Sequence, residues 1–201
     1  MMNDIVNVAN MYAEGLKNVL KRREQWIKKH DEIKAHLKEI ADHLNTNAVY
    51  KQGFFVDSLH AFNEEINGIC SDMPSLAFRS GEMSMGVIFK NNMGETKEYM
   101  EQGFHITFNP TIPGEIIVLL FPHYSDLNTE KPPYATLAII DDLEQLTNEL
   151  IDQIIIKGLE ASFYSSYTGV LEREEENEQP DNIHTSPIGF KRYDTTQKTN
   201  G

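Results

Sequence analysis

One apolar stripe runs through residues 1–45 at the spacing of an amphipathic helix, and it constrains the fold more than any other feature. In steps of three and four, the stripe consists of Ile5, Ala9, Tyr12, Leu16, Val19, Arg23, Trp26, His30, Ile33, Leu37, Ile40 and Leu44. Ten of these twelve positions are apolar, whereas the residues between them are mostly polar. Such spacing predicts one long helix that lays a single face against a partner. About 40 residues at 1.5 Å per residue give a rod of roughly 60 Å, so we expect part of the stripe to meet a second chain.

The central part of the stripe is the predicted interface of a homodimer. Its residues are Tyr12, Leu16, Val19, Arg23, Trp26, His30, Ile33 and Leu37. Arg23 and His30 are polar at positions where a coiled coil favours apolar side chains. Such residues can set the register and the choice of partner at some cost in stability. The alternative is that the stripe is not a strict coiled coil and that both residues face solvent beyond the domain.

The rest of the chain predicts an α+β fold. A second helix is expected to begin at Asp57 or Ser58 and to step through Leu59, Phe62, Ile66 and Ile69. Four segments then read as strands of an antiparallel meander: 83–89, 104–108, 115–121 and 134–140. The last two are apolar on both faces, which predicts that the sheet is covered on both sides, in part by a second subunit. A long final helix, capped by Asp141 or Asp142, is expected to pack on the sheet.

These elements divide the chain of 201 residues into three parts. Residues 1–46 form the long helix, residues 47–171 the α+β body, and residues 172–201 an acidic polar tail. The composition of the tail predicts disorder. It contains one apolar segment with paired basic residues, which is predicted to dock on an acidic surface: Ile188, Phe190, Lys191, Arg192 and Tyr193.

The net charge of −13 is concentrated in the body and the tail, because the first 45 residues are nearly neutral. An acidic body argues against binding to a nucleic-acid backbone, since that affinity comes from Lys and Arg replacing counterions. No segment has the ~18 apolar residues of a membrane span, and no secretory signal is visible at the start of the chain. Cys70 is the only cysteine, which fits a reducing compartment. We therefore expect a cytoplasmic protein.

The residue set most similar to a metal site is Glu32, His36, Glu39 and His43. Gaps of four, three and four place all four on one helix face, where they could hold zinc, manganese or iron. Surface pairing of Glu, His and Lys at helical spacing explains the same pattern. We prefer that explanation, and we predict no metal and no cofactor.

His105 and His123 are the histidines of the predicted sheet. If the hairpin between their strands folds about Ile112, His123 falls opposite Glu101 and His105 falls opposite Leu119. The strand end at His123 would then be the place for acid–base chemistry. The alternative is that both histidines belong to the solvent face of the sheet, and we predict no catalytic residue.

Two classes of function fit this sequence. The favoured one is a non-catalytic dimeric interaction protein that binds another protein as an adaptor or chaperone. In general character, a small, acidic, dimeric α+β protein is similar to secretion chaperones, which hold an unfolded stretch of a client; the similarity carries no motif. The alternative is a metal-dependent or acid–base enzyme that uses the histidine and glutamate sets on the first helix or the sheet.

Overall fold

The computed structural model describes residues 2–48, 52–60, 68–69, 73–90, 93–125, 132–163 and 166. Within these residues lie two α-helices, eight strands and one 3-10 turn, at Leu143–Gln145. In chain order the helices and strands are α1 (Met2–Asn47), β1 (Phe54–His60), β2 (Pro74–Ser80), β3 (Met83–Lys90), β4 (Thr96–Gln102), β5 (His105–Pro110), β6 (Ile116–Phe121), β7 (Tyr124–Ser125), β8 (Ala135–Ile140) and α2 (Asn148–Phe163).

The fold is α+β, with a long N-terminal helix, antiparallel sheets and a C-terminal helix, but the predicted four-stranded meander is wrong. Five strands form one antiparallel sheet in the order β1-β2-β5-β6-β8, and three form a second sheet in the order β3-β4-β7. The alternation of apolar residues identified β3 and β5, and continuous apolar runs identified β6 and β8. The sequence pattern missed β2 because Ser75, Arg79 and Ser80 interrupt its apolar residues and it begins at a proline. It missed β4 because Thr96–Gln102 is mostly polar.

The predicted start of a second helix at Asp57 or Ser58 is also wrong, because both residues lie within β1. The run Phe54-Phe55-Val56 has aromatic and β-branched side chains that favour a strand. That strand pairs with β2 along its whole length, from Phe54 opposite Ser80 to His60 opposite Pro74. Ile69, also assigned to that helix, forms an isolated bridge with Thr111, and residues 61–67 lie outside the described residues.

The core lies between the five-stranded sheet and the two helices. Trp26, Ile33 and Leu37 of α1 join Ile151 and Ile154 of α2 in one buried cluster with the strand residues. These apolar side chains share one face of the sheet, so the C-terminal half of α1 and all of α2 belong to the folded body.

The centre of the opposite face of the sheet is buried as well. Thr107 lies opposite both Ala77 and Leu119 in the register of β2, β5 and β6. All three side chains are fully buried within a single chain. Ile139 of the edge strand β8 lies on this face and is 57% exposed, so the cover of this part of the sheet by a second subunit stays a prediction.

Candidate functional site

Near residue 19, α1 passes from an exposed segment into contact with the edge of the body. Arg23 Nη2 donates a hydrogen bond of 2.9 Å to the carbonyl oxygen of Ile112. A methyl group placed on Gly114 would come within 2.7 Å of Arg22 Cβ and 3.3 Å of the Val19 carbonyl oxygen. The loop at 112–114 therefore abuts the helix at this level, and the preceding residues, 2–18, extend about 25 Å further at 1.5 Å per residue.

This projecting part of α1 carries a group of exposed apolar side chains, here called the free stripe. Its members are between 50% and 77% exposed: Ile5, Val6, Val8, Met11, Tyr12, Leu16 and Leu20. Single exposed apolar residues are ordinary on protein surfaces, whereas a contiguous apolar patch marks a surface that binds another molecule. The free stripe is therefore the candidate functional site, and it includes Tyr12 and Leu16 of the predicted interface.

Four other residues of the predicted interface pack against the chain's own sheet and need correction. Trp26, His30, Ile33 and Leu37 are all buried in the single chain. The spacing of three and four is the same for a helix that covers a sheet and for one that covers a second helix, so the pattern did not separate the two halves. Val19 and Arg23 are partly buried at the boundary, where Arg23 bonds the loop at Ile112.

The two histidines of the metal-like set, His36 and His43, each lie within hydrogen-bond distance of another side chain. His36 Nε2 lies 2.8 Å from Asp152 Oδ1, which joins α1 to α2. Glu39 Oε2 is 3.8 Å from the Nδ1 atom of His36, and the ring of His43 lies 3.2 Å from Asn47 Nδ2. Among the residues that the structure describes, no three His, Cys, Asp or Glu side chains converge as metal ligands.

A hydrogen-bonded chain of Ser58, His30 and Asp31 was not visible in the sequence, since Ser58 is far from the other two along the chain. Ser58 Oγ lies 2.9 Å from His30 Nε2, and His30 Nδ1 lies 3.0 Å from Asp31 Oδ1. The His30 ring is held by the edge-on ring of Trp26, with a centroid separation of 5.9 Å. The Asp31 side chain is 93% exposed.

His123 occupies a buried position at the end of β6. Its ring meets Phe104 edge-on, with centroids 5.4 Å apart, and its Nδ1 atom lies 3.3 Å from the carbonyl oxygen of Ser162 on α2. Burial lowers the pKa of His123 to about 4, so the ring is neutral at physiological pH. An Nδ1–H donor to that carbonyl accounts for the contact.

The predicted register of the two sheet histidines is wrong by two residues. His105 lies opposite Phe121, rather than Leu119. Glu101 lies opposite Ser125, and not opposite His123. The difference arises because the hairpin turns about Pro113, closed by Thr111 N–H donating to the Glu115 carbonyl oxygen at 2.8 Å.

A polar cleft lies beside the base of the projecting helix, at the level where the free stripe ends. Its volume is about 350 Å³, and it is lined by Asn18, Lys21, Arg22 and Gln25 of α1 and by Asp141, Asp142 and Glu144 beyond β8. Acidic side chains of the body thus face basic side chains of α1, on the side of the helix away from the line Ile5, Tyr12 and Leu16.

The remaining predicted features have no described geometry. The tail residues Ile188, Phe190, Lys191, Arg192 and Tyr193 lie outside the described residues, as does Cys70. Across the described parts of the chain, no helix combines the length and apolar content that crossing a membrane requires. Compared with protein-family models, curated proteins and solved structures, the chain has no significant match.

Proposed function

We propose that the protein is a non-catalytic interaction protein that self-associates through the free stripe of α1 and binds another protein. The observation that carries this proposal is the contrast between the two halves of one helix. From Trp26 onward the stripe residues enter the core, whereas Ile5, Tyr12 and Leu16 are more than half exposed. An exposed stripe that continues a core-forming stripe is suited to bind a second apolar surface.

The energetics favour this use of the free stripe. Full burial of a large apolar side chain contributes about 1.5–3 kcal/mol, so burying a half-exposed one contributes about 1 kcal/mol. Two copies of the seven residues would then gain on the order of 10 kcal/mol. Association costs roughly 4–15 kcal/mol in lost motion. The gain and the cost are thus of similar size, as expected for a reversible rather than a permanent dimer.

Mass measurement in solution tests the proposal directly. Light scattering at tens of micromolar should give twice the chain mass of 23.0 kDa. Leu16→Asp should give the monomer, because a charge buried at an interface costs several kcal/mol unless it is paired. Asn10→Asp places the same charge on the same helix away from the apolar line and should leave the dimer intact. A wild-type monomer would refute the proposal.

A second candidate function rests on the chain of Ser58, His30 and Asp31. The order hydroxyl, imidazole, carboxylate is that of a hydrolytic triad. Asn45 bonds both the N–H and the carbonyl oxygen of Phe54, at 2.7 and 2.9 Å, so these backbone groups point away from β2. The alternation of an antiparallel strand places the Ser58 N–H on the same open edge, where it could bind an oxyanion. We rank this candidate second because the exposed Asp31 carboxylate orients His30 less firmly than a buried one.

In this candidate the Ser58 hydroxyl proton moves to His30 Nε2 while Oγ attacks an ester carbonyl carbon. The departing alcohol takes that proton, and water then releases the acid from the acyl-serine. A fluorophosphonate probe should label wild-type protein but not Ser58→Ala, and Ser84→Ala, at an exposed serine of β3, should be labelled normally. Absence of labelling on the wild type rejects the candidate.

A further inference from the structure

We propose that the free stripe binds the same stripe of a second copy in antiparallel orientation, with the tip of each helix reaching the base of the other. This inference rests on the proposed self-association and adds the direction and register of the pairing. It follows from where the body lies relative to the stripe, from the length of the projection and from the charges at its two ends.

The first argument is steric and sets the direction. The line Ile5, Ala9, Tyr12, Leu16 continues at the same spacing into Trp26 and the core positions beyond it, and Trp26 faces the chain's own sheet. The free stripe therefore faces the side of α1 on which the body lies. A parallel partner would continue along that side and collide with the body. An antiparallel partner runs out past the tip of the first helix, where its own body has room.

The second argument is the length of the projection, which sets the register. The body begins at Val19 and Arg22, where Gly114 packs against the helix, so the partner's tip can advance no further than about that level. Pairing residue 2 with residue 19 brings Ile5 opposite Leu16 and Ala9 opposite Tyr12. Because the stripe steps by four and then three residues, it has two kinds of position. Each of these pairs joins one position of each kind, as the packing of antiparallel helices requires. The next register, one heptad shorter, leaves Leu16 without a partner.

The third argument is electrostatic. The antiparallel register places Lys17 of each helix level with Asp4 of the other, which is the acidic residue in the first turn of α1. A parallel pair would instead bring Lys17, Lys21 and Arg22 of both helices together beside two acidic bodies. The antiparallel arrangement places opposite charges together at both ends of the pair.

Disulfide trapping distinguishes the two directions. In a Cys70→Ser background, Ile5→Cys and Leu16→Cys variants with tags of different size are mixed and oxidised at concentrations where light scattering shows the dimer. The antiparallel register predicts a mixed disulfide and no disulfide within either variant alone. Ala9→Cys mixed with Tyr12→Cys should behave in the same way and serves as an independent pair, in case one cysteine weakens the dimer.

Each outcome decides between the two proposals. Disulfides formed by Ile5→Cys alone and by Leu16→Cys alone would show a parallel dimer and overturn this inference while leaving self-association intact. A dimer that forms no mixed disulfide with either pair also overturns it, since the stripe then does not pair as described. A monomer at all accessible concentrations overturns the self-association itself. If a dimer forms only after residues 172–201 are removed, the tail covers the free stripe in the full chain. That outcome overturns the self-association of the full-length protein.

Discussion

The indole N–H of Trp26 donates a hydrogen bond of 2.8 Å to the carbonyl oxygen of Pro74, the first residue of β2. This bond fixes the middle of α1 to an inner strand of the five-stranded sheet. Trp26 is fully buried, and a buried indole needs a partner for its N–H. The contact therefore marks the point from which α1 is part of the folded body.

Substitution of Trp26 should lower stability rather than act on association. Trp26→Ala is expected to cost about 3–5 kcal/mol of unfolding free energy, the usual loss for a large buried aromatic. Trp26→Phe keeps most of the apolar area but leaves the Pro74 carbonyl oxygen unpaired, which costs about 1–3 kcal/mol. Urea unfolding in the monomeric Leu16→Asp background measures both, because dimer dissociation then adds nothing. A loss below about 1 kcal/mol for Trp26→Ala would contradict the assignment of Trp26 to the core.

The sequence predicted α1 well because its periodic signal is long. The stripe from Ile5 to Leu44 falls within the observed Met2–Asn47 helix. The same signal did not show what the helix covers, since a sheet and a second helix both select an apolar residue every three or four positions. The residue type at position 26 favoured a place in the core, because a buried indole needs an acceptor for its N–H and a folded domain supplies one at a fixed place.

The contacts that depend on residues far apart in the chain could not be predicted. His30 meets Ser58 across 28 positions and His36 meets Asp152 across 116, and no local pattern encodes either pair.

Two of the missed strands explain the wrong topology. In β2, Ser75, Arg79 and Ser80 interrupt the apolar residues and the first residue is a proline, so neither an apolar run nor a clean alternation marks the strand; β4 is largely polar.

Gly158 offers a test of how closely α2 packs on the sheet. A methyl group at this position would overlap Cδ1 of Ile106 and lie 2.9 Å from its Cγ1 atom. Alanine favours a helix over glycine by about 0.5–1 kcal/mol, but overpacking a filled core costs about 1–3 kcal/mol. Gly158→Ala should therefore lower the unfolding free energy.

The matched rescue is Ile106→Val, which removes the atom that overlaps. Alone it should cost about 0.5–1.5 kcal/mol, whereas in the Gly158→Ala background it should cost less or restore stability. Denaturant unfolding of the two single variants and the double variant gives the coupling. Additive losses would mean that α2 does not rest on Ile106 at this point.

The tail prediction concerns residues 172–201. Residues 172–182 are highly polar and charged, which argues against a place in the core, so removal of residues 172–201 should leave the thermal midpoint nearly unchanged. Binding of a protein partner should fall, because the segment with Ile188, Phe190 and Tyr193 is predicted to supply apolar contact. Thermal unfolding and affinity capture from native extract, each with full-length and truncated protein, measure the two effects. An insoluble or much less stable truncated chain would place the tail within the fold.

His123 should make the protein less stable at mildly acid pH. Burial lowers its pKa to about 4 in the folded protein, whereas an unfolded histidine titrates near 6.5. As the pH falls below about 6.5, the unfolded chain binds a proton that the folded chain does not bind, so the free energy of unfolding falls. The loss accumulates until about pH 4, below which both states are protonated. From pH 6.5 to 5.5 it amounts to about 1 kcal/mol.

His123→Gln removes this titration while its amide can still donate to the Ser162 carbonyl oxygen. Its unfolding free energy should therefore fall less than that of the wild type between pH 7 and 5.5. The matched control is His43→Gln, at an exposed ring on the surface of α1, which should keep the pH dependence of the wild type. Urea unfolding at a series of pH values measures all three proteins. If His123→Gln loses as much stability as the wild type over that range, the acid sensitivity arises elsewhere, and the contact between His123 and α2 does not depend on a neutral ring.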